Sequence, residues 1–191
     1  CYNTAVGSYA LYCHLSGYSN TAVGHNSMYC NKDACGNTAL GYWALYGLTT
    51  GAYNTAIGMQ ALECNTTSWN TAVGVYALRC NTSGIENTAV GHVSLACNIV
   101  GVGNTAVGNR SLAANTASNK SAFGRCALVA NTTGTENVAV GSLSMINNIG
   151  GSCNTAVGNE SLYANTQGGC NTAVGNSAMY CNTTGMDNTA I

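Results

Sequence analysis

The chain has 191 residues, of which only 6% are charged, and its formal net charge is -1. So small a charge provides no electrostatic basis for binding nucleic acid or an anionic membrane surface. The 46% of apolar residues exclude a disordered chain, and no apolar run is long enough to predict a transmembrane helix.

The first element is the pentapeptide Asn-Thr-Ala-Val-Gly at 3–7, which recurs along the whole chain. Successive copies start 17 residues apart, except for two steps of 16. A short period without interruption predicts a repeat architecture and a single domain over 1–191. The twelve copies start at Asn3, Asn20, Asn37, Asn54, Asn70, Asn87, Asn104, Lys120, Asn137, Asn154, Asn171 and Asn188.

Each repeat, numbered from its first residue, carries the pattern of short strands joined by turns. Position 3 is always Ala, position 4 is aliphatic or Phe, position 5 is Gly in every copy that reaches it, and position 9 is Leu or Met. Glycine at position 5, and usually near position 15, disfavours a helix. We predict a strand at 1–4, a tight turn at 5–6, a second strand at 7–11 and a polar turn at 12–17. Stacked units then form an all-β parallel β-solenoid of about 11 rungs, ~4.8 Å apart and ~50 Å long in total.

Side chains alternate between the two faces of a strand, so the pattern also predicts a core. Placing the apolar positions 4 and 9 inside also places positions 2 and 11 inside, and it turns positions 1, 3 and 5 outward. An outward Ala in every copy suggests close approach of another surface, and we predict a contact surface that includes Ala5, Ala22 and Ala39. The alternative is that position 3 is small because the following Gly turn is tight.

A second predicted contact stripe consists of tyrosines at position 10. Aromatic side chains exposed in a row often mark a partner site, although simple stacking between rungs explains them equally well. The stripe comprises Tyr12, Tyr29, Tyr46, Tyr163 and Tyr180.

Eleven cysteines favour an oxidising, extracellular location. Rungs ~4.8 Å apart bring equivalent cysteines within the Cα range of a disulfide, near its short end. We therefore predict Cys13–Cys30, Cys153–Cys170 and one pair among Cys64, Cys80 and Cys97, with free thiols as the alternative. Cys1, at the end of the chain, is a candidate for a bond to a neighbouring subunit.

Asn-x-Ser/Thr sequons in or beside the turns make Asn65, Asn81, Asn131 and Asn182 candidate N-glycosylation sites. No catalytic residue, cofactor site or metal site is predicted. The acidic residues are scattered, and the stacked cysteines form a line rather than the tetrahedral cluster that zinc requires. Glu63 and Arg79, at position 10 of adjacent rungs, are predicted to form a surface salt bridge.

The stretch from Asn171 to Gly185 resembles the head-domain repeats of trimeric autotransporter adhesins, and it is similar to repeats of phage tail-fibre-like proteins. Ala173, Val174 and Gly175 fall on the Ala-Ile-Gly places of the adhesin motif. The resemblance implies a left-handed β-roll, often trimeric, that acts in adhesion or as a fibre shaft.

These observations lead to three hypotheses of function, none of them enzymatic. The first is an extracellular or cell-surface rod that stacks end to end into a fibre or homo-oligomer. The second is an adhesin that presents positions 6, 7 and 10 to a receptor or a surface glycan. The third is ice binding, which requires outward ranks of Thr and is disfavoured by the inward placement of position 2.

Overall fold

A computed structural model describes residues 2–191, which form one parallel sheet of twelve short strands. The strands follow one another in chain order, so each repeat contributes one coil to a solenoid of about 11 turns. The predicted all-β parallel β-solenoid is confirmed. The strands are β1 (Thr4–Val6), β2 (Thr21–Val23), β3 (Thr38–Leu40), β4 (Thr55–Ile57), β5 (Thr71–Val73), β6 (Thr88–Val90), β7 (Thr105–Val107), β8 (Ser121–Phe123), β9 (Val138–Val140), β10 (Thr155–Val157), β11 (Thr172–Val174) and β12 (Thr189–Ala190).

Neighbouring strands pair in register, with equivalent residues of successive repeats side by side. Between β5 and β6, for example, Thr71 pairs with Thr88 and Ala72 with Ala89. The 16-residue repeats keep this register because the missing residue falls in the polar turn. In the 16-residue repeat that starts at Asn54, Asn54 Nδ2 donates a hydrogen bond to Thr67 O. In the 17-residue repeat that starts at Asn37, the equivalent acceptor is Gly51 O. The length change is therefore absorbed without disturbing the sheet.

The second predicted strand, at positions 7–11, is a turn. Tyr76 at position 7 has φ 60° and Leu78 at position 9 has φ 50°. These left-handed values are incompatible with an extended strand. The segment still bonds to the next rung, because Leu78 N donates to Ser94 O at 3.0 Å and Cys80 N to Ala96 O at 3.0 Å. Each rung thus holds one strand, and the prediction of two is wrong.

The predicted core is confirmed at position 9, but the prediction that strand positions 2 and 4 lie inside is wrong. The Leu and Met side chains of position 9 are fully buried from rung two to rung ten, but so are the Ala side chains of position 3. The predicted outward contact surface of Ala22 and Ala39 is therefore wrong, since both are 0% exposed. Ala5 is exposed in the first rung, yet it pairs with Ala22 and belongs to the same column.

Asparagine at position 1 explains this inverted parity. Asn37 is 1% exposed, and its Nδ2 donates to Gly51 O at 2.9 Å and to Asn20 Oδ1 at 3.2 Å. Its Oδ1 in turn accepts the backbone N–H of Asn54 at 2.8 Å. The amide is inside because it satisfies buried backbone groups of two rungs. Because positions 1 and 3 share one side of a strand, burial of Asn turns Thr and Val outward.

A second buried ladder runs through the asparagines of position 12. Asn98 Nδ2 donates to Asn81 Oδ1 at 2.9 Å and to Gly101 O at 3.0 Å. Two columns of hydrogen-bonded amides thus flank the narrow column of Ala and Leu. Paired in this way, the amides avoid the cost of burying free polar groups. The interior is therefore half polar.

Glycine is required at position 5 for two reasons. Gly91 has φ 132°, which side chains rarely adopt, and a Cβ added there would lie 2.6 Å from Gly108 O in the next rung. The strand therefore ends where two rungs touch backbone to backbone.

Candidate functional surfaces

The outer side of the sheet is a continuous surface, the Thr/Val face, made by positions 2 and 4 of all rungs. Position 2 is Thr except at Ser121 and Val138, and position 4 is an aliphatic residue or Phe123. Many of these side chains are half-buried, and Val90 and Leu40 are 36% and 46% exposed. Neither position carries a charge in any rung. The face is a flat strip with one column rich in hydroxyls beside one column of apolar groups.

The tyrosines of position 10 lie on a second side of the rod and stack as the repeat predicts. The rings of Tyr12 and Tyr29 are 5.1 Å apart between centroids, and those of Tyr29 and Tyr46 are 5.2 Å apart. Tyr163 and Tyr180 form a separate stack at 4.7 Å. The outward, stacked arrangement of all five is therefore confirmed, while their role as an interface stays a prediction.

Between the two tyrosine stacks, position 10 carries the predicted ion pair. Arg79 Nε lies 2.7 Å from Glu63 Oε2, and the guanidinium lies 5.2 Å from the centre of the Tyr76 ring. The hydrogen bond to Glu63 raises the pKa of Arg79. Because the arginine is nearly half exposed, the pair contributes at most about 1 kcal/mol. It fastens two adjacent rungs at the surface.

The first three rungs carry a larger aromatic group than the position-10 stripe alone. Trp43 at position 7 stacks on Tyr46 at 4.6 Å and on Tyr42 at 5.5 Å, and His25 stacks on Tyr42 at 5.6 Å. Tyr42 and Trp43 were not predicted to belong to this group, although considering positions 6, 7 and 10 of the repeat together would have placed them beside the position-10 stripe. An open cleft of about 340 Å³ lies among these rungs. Its lining, here called the aromatic cleft, is Tyr9, Tyr12, His25, Asn26, Tyr29 and Tyr46.

A second groove of about 400 Å³ lies further along the rod, across rungs six to eight. It exists because positions 10 and 11 are small there, as at Ala113 and Ala114, while larger residues such as Val93 and Val129 form its sides. His92 and Arg110 border it.

The predicted disulfides are not formed, since Cys13, Cys30, Cys153 and Cys170 are free thiols, as are Cys64, Cys80 and Cys97. In a parallel ladder, equivalent Cα–Cβ bonds point the same way. Their Cβ atoms therefore stay ~4.8 Å apart, beyond the ~3.5–4.5 Å of a disulfide. Position 11 also lies partly exposed at the surface, not in the core as predicted. The predicted intermolecular bond of Cys1 lies outside the described residues.

Several of these thiols have a pKa that their surroundings raise. Burial raises the pKa of Cys64 and Cys80, and the neighbouring thiol of Cys97 adds to the effect on Cys80. A hydrogen bond to Glu136 raises the pKa of Cys153. All three cysteines are held in the protonated form, which is the less reactive one.

All four predicted glycosylation sites lie at position 12, and three of them are fully buried. Asn65, Asn81 and Asn131 are 0% exposed, and Asn81 Nδ2 donates to Asn65 Oδ1 at 2.7 Å. A glycan on such a nitrogen would have to occupy the core, so the folded rod excludes glycosylation at these three residues. Asn182 is half-buried, and its glycosylation stays a prediction.

Lys120 is the one position-1 residue that is not asparagine, and it is 1% exposed. Its Nζ donates to Asn115 Oδ1, the atom that the ladder would otherwise offer to Asn131. Asn131 Nδ2 and Oδ1 are left without a hydrogen-bond partner within residues 2–191. Burial lowers the pKa of Lys120 to about 8. The lysine thus interrupts both asparagine ladders at one rung.

Residues 2–191 contain no group of three or more His, Cys, Asp or Glu side chains placed to hold a metal ion. His14 and His92 are widely separated, and His14 Nε2 lies 2.9 Å from Asn3 Nδ2. Within the same residues, no helix is long and apolar enough to cross a membrane.

Comparison with protein-family models gives no match, and neither the curated proteins nor the solved structures include a match to this chain.

Proposed function

We propose that this chain is a non-enzymatic structural rod of an extracellular surface fibre and that it associates with copies of itself. The Thr/Val face carries the proposal. It is an uncharged strip of exposed apolar and hydroxyl groups along the whole rod, which is ~50 Å long and about three residues (~10 Å) wide. An uncharged strip of this size, with a continuous apolar column, is typical of an interaction surface.

End-to-end association is supported by the equivalence of the rungs. Each strand pairs with the next through the same residue positions, and each position-1 asparagine along most of the rod makes the same contacts. Apart from the rung of Lys120, the lower side of one rung therefore fits the upper side of another. Exposed strand edges with such a repeated pattern template the addition of another chain.

Light scattering and electron micrographs across a concentration series test the proposal. We expect assemblies that grow with concentration and fibres in the micrographs. Single chains at every micromolar concentration, with no fibres, would contradict it.

A matched pair of variants locates the contact. Val90→Lys places a charge on the Thr/Val face, whereas Ile99→Lys places one at position 13 of the same rung, where the side chain is 48% exposed. The Thr/Val face runs along the rod, so two rods that meet through it associate side by side. We expect Val90→Lys to abolish this association and Ile99→Lys to leave it intact. Equal effects of the two charges would show that the Thr/Val face is not the contact.

Ice binding is a second candidate, and the outward threonines specifically favour it. Hydroxyls at position 2 repeat in every rung except that of Val138, ~4.8 Å apart, beside the apolar side chains of position 4, and no charge disrupts the rank. The argument from parity that disfavoured this function is removed. A thermal-hysteresis assay compares the native chain with Thr88→Lys on the face and Thr82→Lys at position 13. Absence of thermal hysteresis in the native chain would exclude ice binding and leave the structural rod as the proposed function.

A further inference from the structure

We propose that the aromatic cleft binds a neutral oligosaccharide, stacking the apolar face of a sugar ring on the tyrosines of position 10. This inference is independent of the Thr/Val face and of self-association. It rests on the shape of the first three rungs, on the absence of charge there and on polar atoms that lack partners.

The cleft exists because one short side chain interrupts a column of large ones. Position 7 is Tyr9 in the first rung and Trp43 in the third, but Asn26 in the second. The gap above Asn26 is closed on one side by the stacked rings of Tyr12 and Tyr29. Tyr9 stands edge-on to Tyr12, with 5.3 Å between ring centroids and 78° between ring planes. A flat ligand therefore meets a ring face on one wall and a ring edge on another.

The walls are rigid as well as aromatic. Tyr29 is held between Tyr12 and Tyr46, and Tyr46 is held in turn by the stacked ring of Trp43. A ring fixed by neighbours on both sides loses little conformational entropy when a ligand binds. The site is thus formed before its ligand arrives.

The polar atoms at the cleft require hydrogen bonds that the protein does not supply. Asn26 Oδ1 is shielded from solvent and has no partner within residues 2–191. Trp43 Nε1, beside the cleft, is in the same state. A buried acceptor or donor without a partner costs about 1–3 kcal/mol, which a ligand bearing hydroxyl groups recovers. A sugar hydroxyl that enters the cleft is a donor for Asn26 Oδ1, which is the one of these two atoms that belongs to a lining residue.

Charge decides between the ligands that stack on aromatic rings. The six lining residues include no Asp, Glu, Lys or Arg. A quaternary ammonium ligand usually has an anionic neighbour in addition to the rings, and a nucleotide requires cationic partners for its phosphates. Neither is present in the lining. A neutral ligand with one apolar face and several hydroxyls fits both the charge and the unpaired atoms.

The tryptophans provide a direct optical test. The chain has two, and Trp69 belongs to the fourth rung, so a Trp69→Phe background leaves Trp43 as the only tryptophan and a reporter of the cleft. The probes are tetrasaccharides of glucose, galactose, mannose and N-acetylglucosamine, titrated singly, with saturation-transfer difference NMR as a second readout. We expect at least one to change Trp43 emission saturably and to bind equally well in low and in high salt.

Two variants and a control fix the location. Tyr29→Ala removes the central ring of the wall, and Asn26→Gly removes the unpaired acceptor while tolerating the local φ of 57°. Each is expected to weaken binding roughly tenfold or more. Tyr163→Ala removes a ring from the distant stack, in a rung whose position-7 residue is Glu160 and not an aromatic residue, and is expected to change nothing. Circular dichroism checks that each variant keeps its β structure.

Three outcomes would overturn the proposal. They are no binding of any of the four probes, binding that survives in a folded Tyr29→Ala variant, and equal losses in Tyr29→Ala and Tyr163→Ala. Binding that is confined to low salt and to added acidic oligosaccharides would contradict the neutral class of ligand.

Discussion

The ammonium group of Lys120 donates a hydrogen bond to Asn115 Oδ1 across 2.5 Å, and this contact ends a ladder that runs unbroken from Asn65. Asn131, next along the ladder, is left with an unpaired amide. The rod therefore contains one rung whose interior is poorly satisfied. That rung gives two predictions.

Replacing the lysine by the residue of every other rung is expected to stabilise the rod. Lys120→Asn restores the position-1 amide and frees Asn115 Oδ1 for Asn131. Satisfying a buried polar pair in this way is expected to raise the free energy of unfolding by about 2 kcal/mol. Urea unfolding at pH 7 measures it. The reverse change, Asn137→Lys in the next rung, is expected to lower stability, and a Lys120→Asn variant less stable than the native chain would contradict the ladder.

The same lysine makes part of the stability depend on pH. Its pKa falls from 10.5 to about 8 on folding, so the unfolded chain binds more protons between these values. Stability contributed by this group therefore rises as the pH rises through 8 towards 10.5. Cysteines and tyrosines titrate in the same range, so the measured quantity is the difference between the native chain and Lys120→Asn. We expect most of that gap of about 2 kcal/mol to close between pH 7 and pH 10. A difference in unfolding free energy that does not change with pH would show that the Lys120 ammonium group is exposed to solvent.

Left-handed residues give a third prediction, with controls inside the repeat. Glu86 at position 17 has φ 59°, where Gly103 at the equivalent place has φ 67°. Glu86→Gly relieves a cost of about 1–2 kcal/mol, less ~0.5–1 kcal/mol for the entropy of Gly, so a net gain of about 0.5–1 kcal/mol is expected. Gly103→Ala is expected to lose about as much.

Position 5 is expected to respond far more strongly to the same kind of change. Gly91→Ala combines a forbidden φ with a backbone clash across rungs, and its loss should be roughly 3 kcal/mol or more. Thermal unfolding ranks the three variants. A Gly91→Ala variant as stable as Gly103→Ala would show that the rungs have room to move apart.

Free thiols give the fourth prediction. Because none of the ten described cysteines is bonded, reductant is expected to leave the intact mass and the unfolding midpoint unchanged. Cys80→Ala is expected to cost little, since the thiol is partly exposed and forms no bond. A mass increase of two hydrogens per lost bond would instead show that rungs approach each other more closely than a regular parallel ladder does.

The sequence was sufficient to predict the solenoid, the rung boundaries, the buried Leu column and the tyrosine stacks. All of these follow from periodicity, because equivalent residues must stack whatever the details of the coil. It failed at the parity of the strand, where hydrophobicity placed Val90 inside and Asn87 outside. The decisive factor was hydrogen bonding, since Asn87 Nδ2 satisfies Gly101 O at 2.8 Å within the coil. The pattern of apolar residues alone does not show that a buried carbonyl group requires this hydrogen bond.

The second failure has a related cause. Alternation at positions 7–11 resembled a strand, but the alternate residues Tyr76 and Leu78 are left-handed, a conformation that the side chains themselves disfavour. Only the closure of the coil requires it. Position 11 lies at the surface and position 12 in the core, the reverse of the predicted environments, so the predicted disulfides are not formed and three of the four predicted glycosylation sites are buried.

Because all rungs pair through the same strand positions, and all but that of Lys120 through the same asparagine, nothing in the packing specifies how many rungs there should be. Unequal recombination that duplicates or deletes one repeat unit of the gene would lengthen or shorten the rod by one step of ~4.8 Å, with no new core to be selected. The length of the rod is then a quantity that such a lineage can adjust in small, nearly neutral increments. The rungs differ most in sequence at outward positions such as 6, 7 and 10, where each rung can acquire its own specificity.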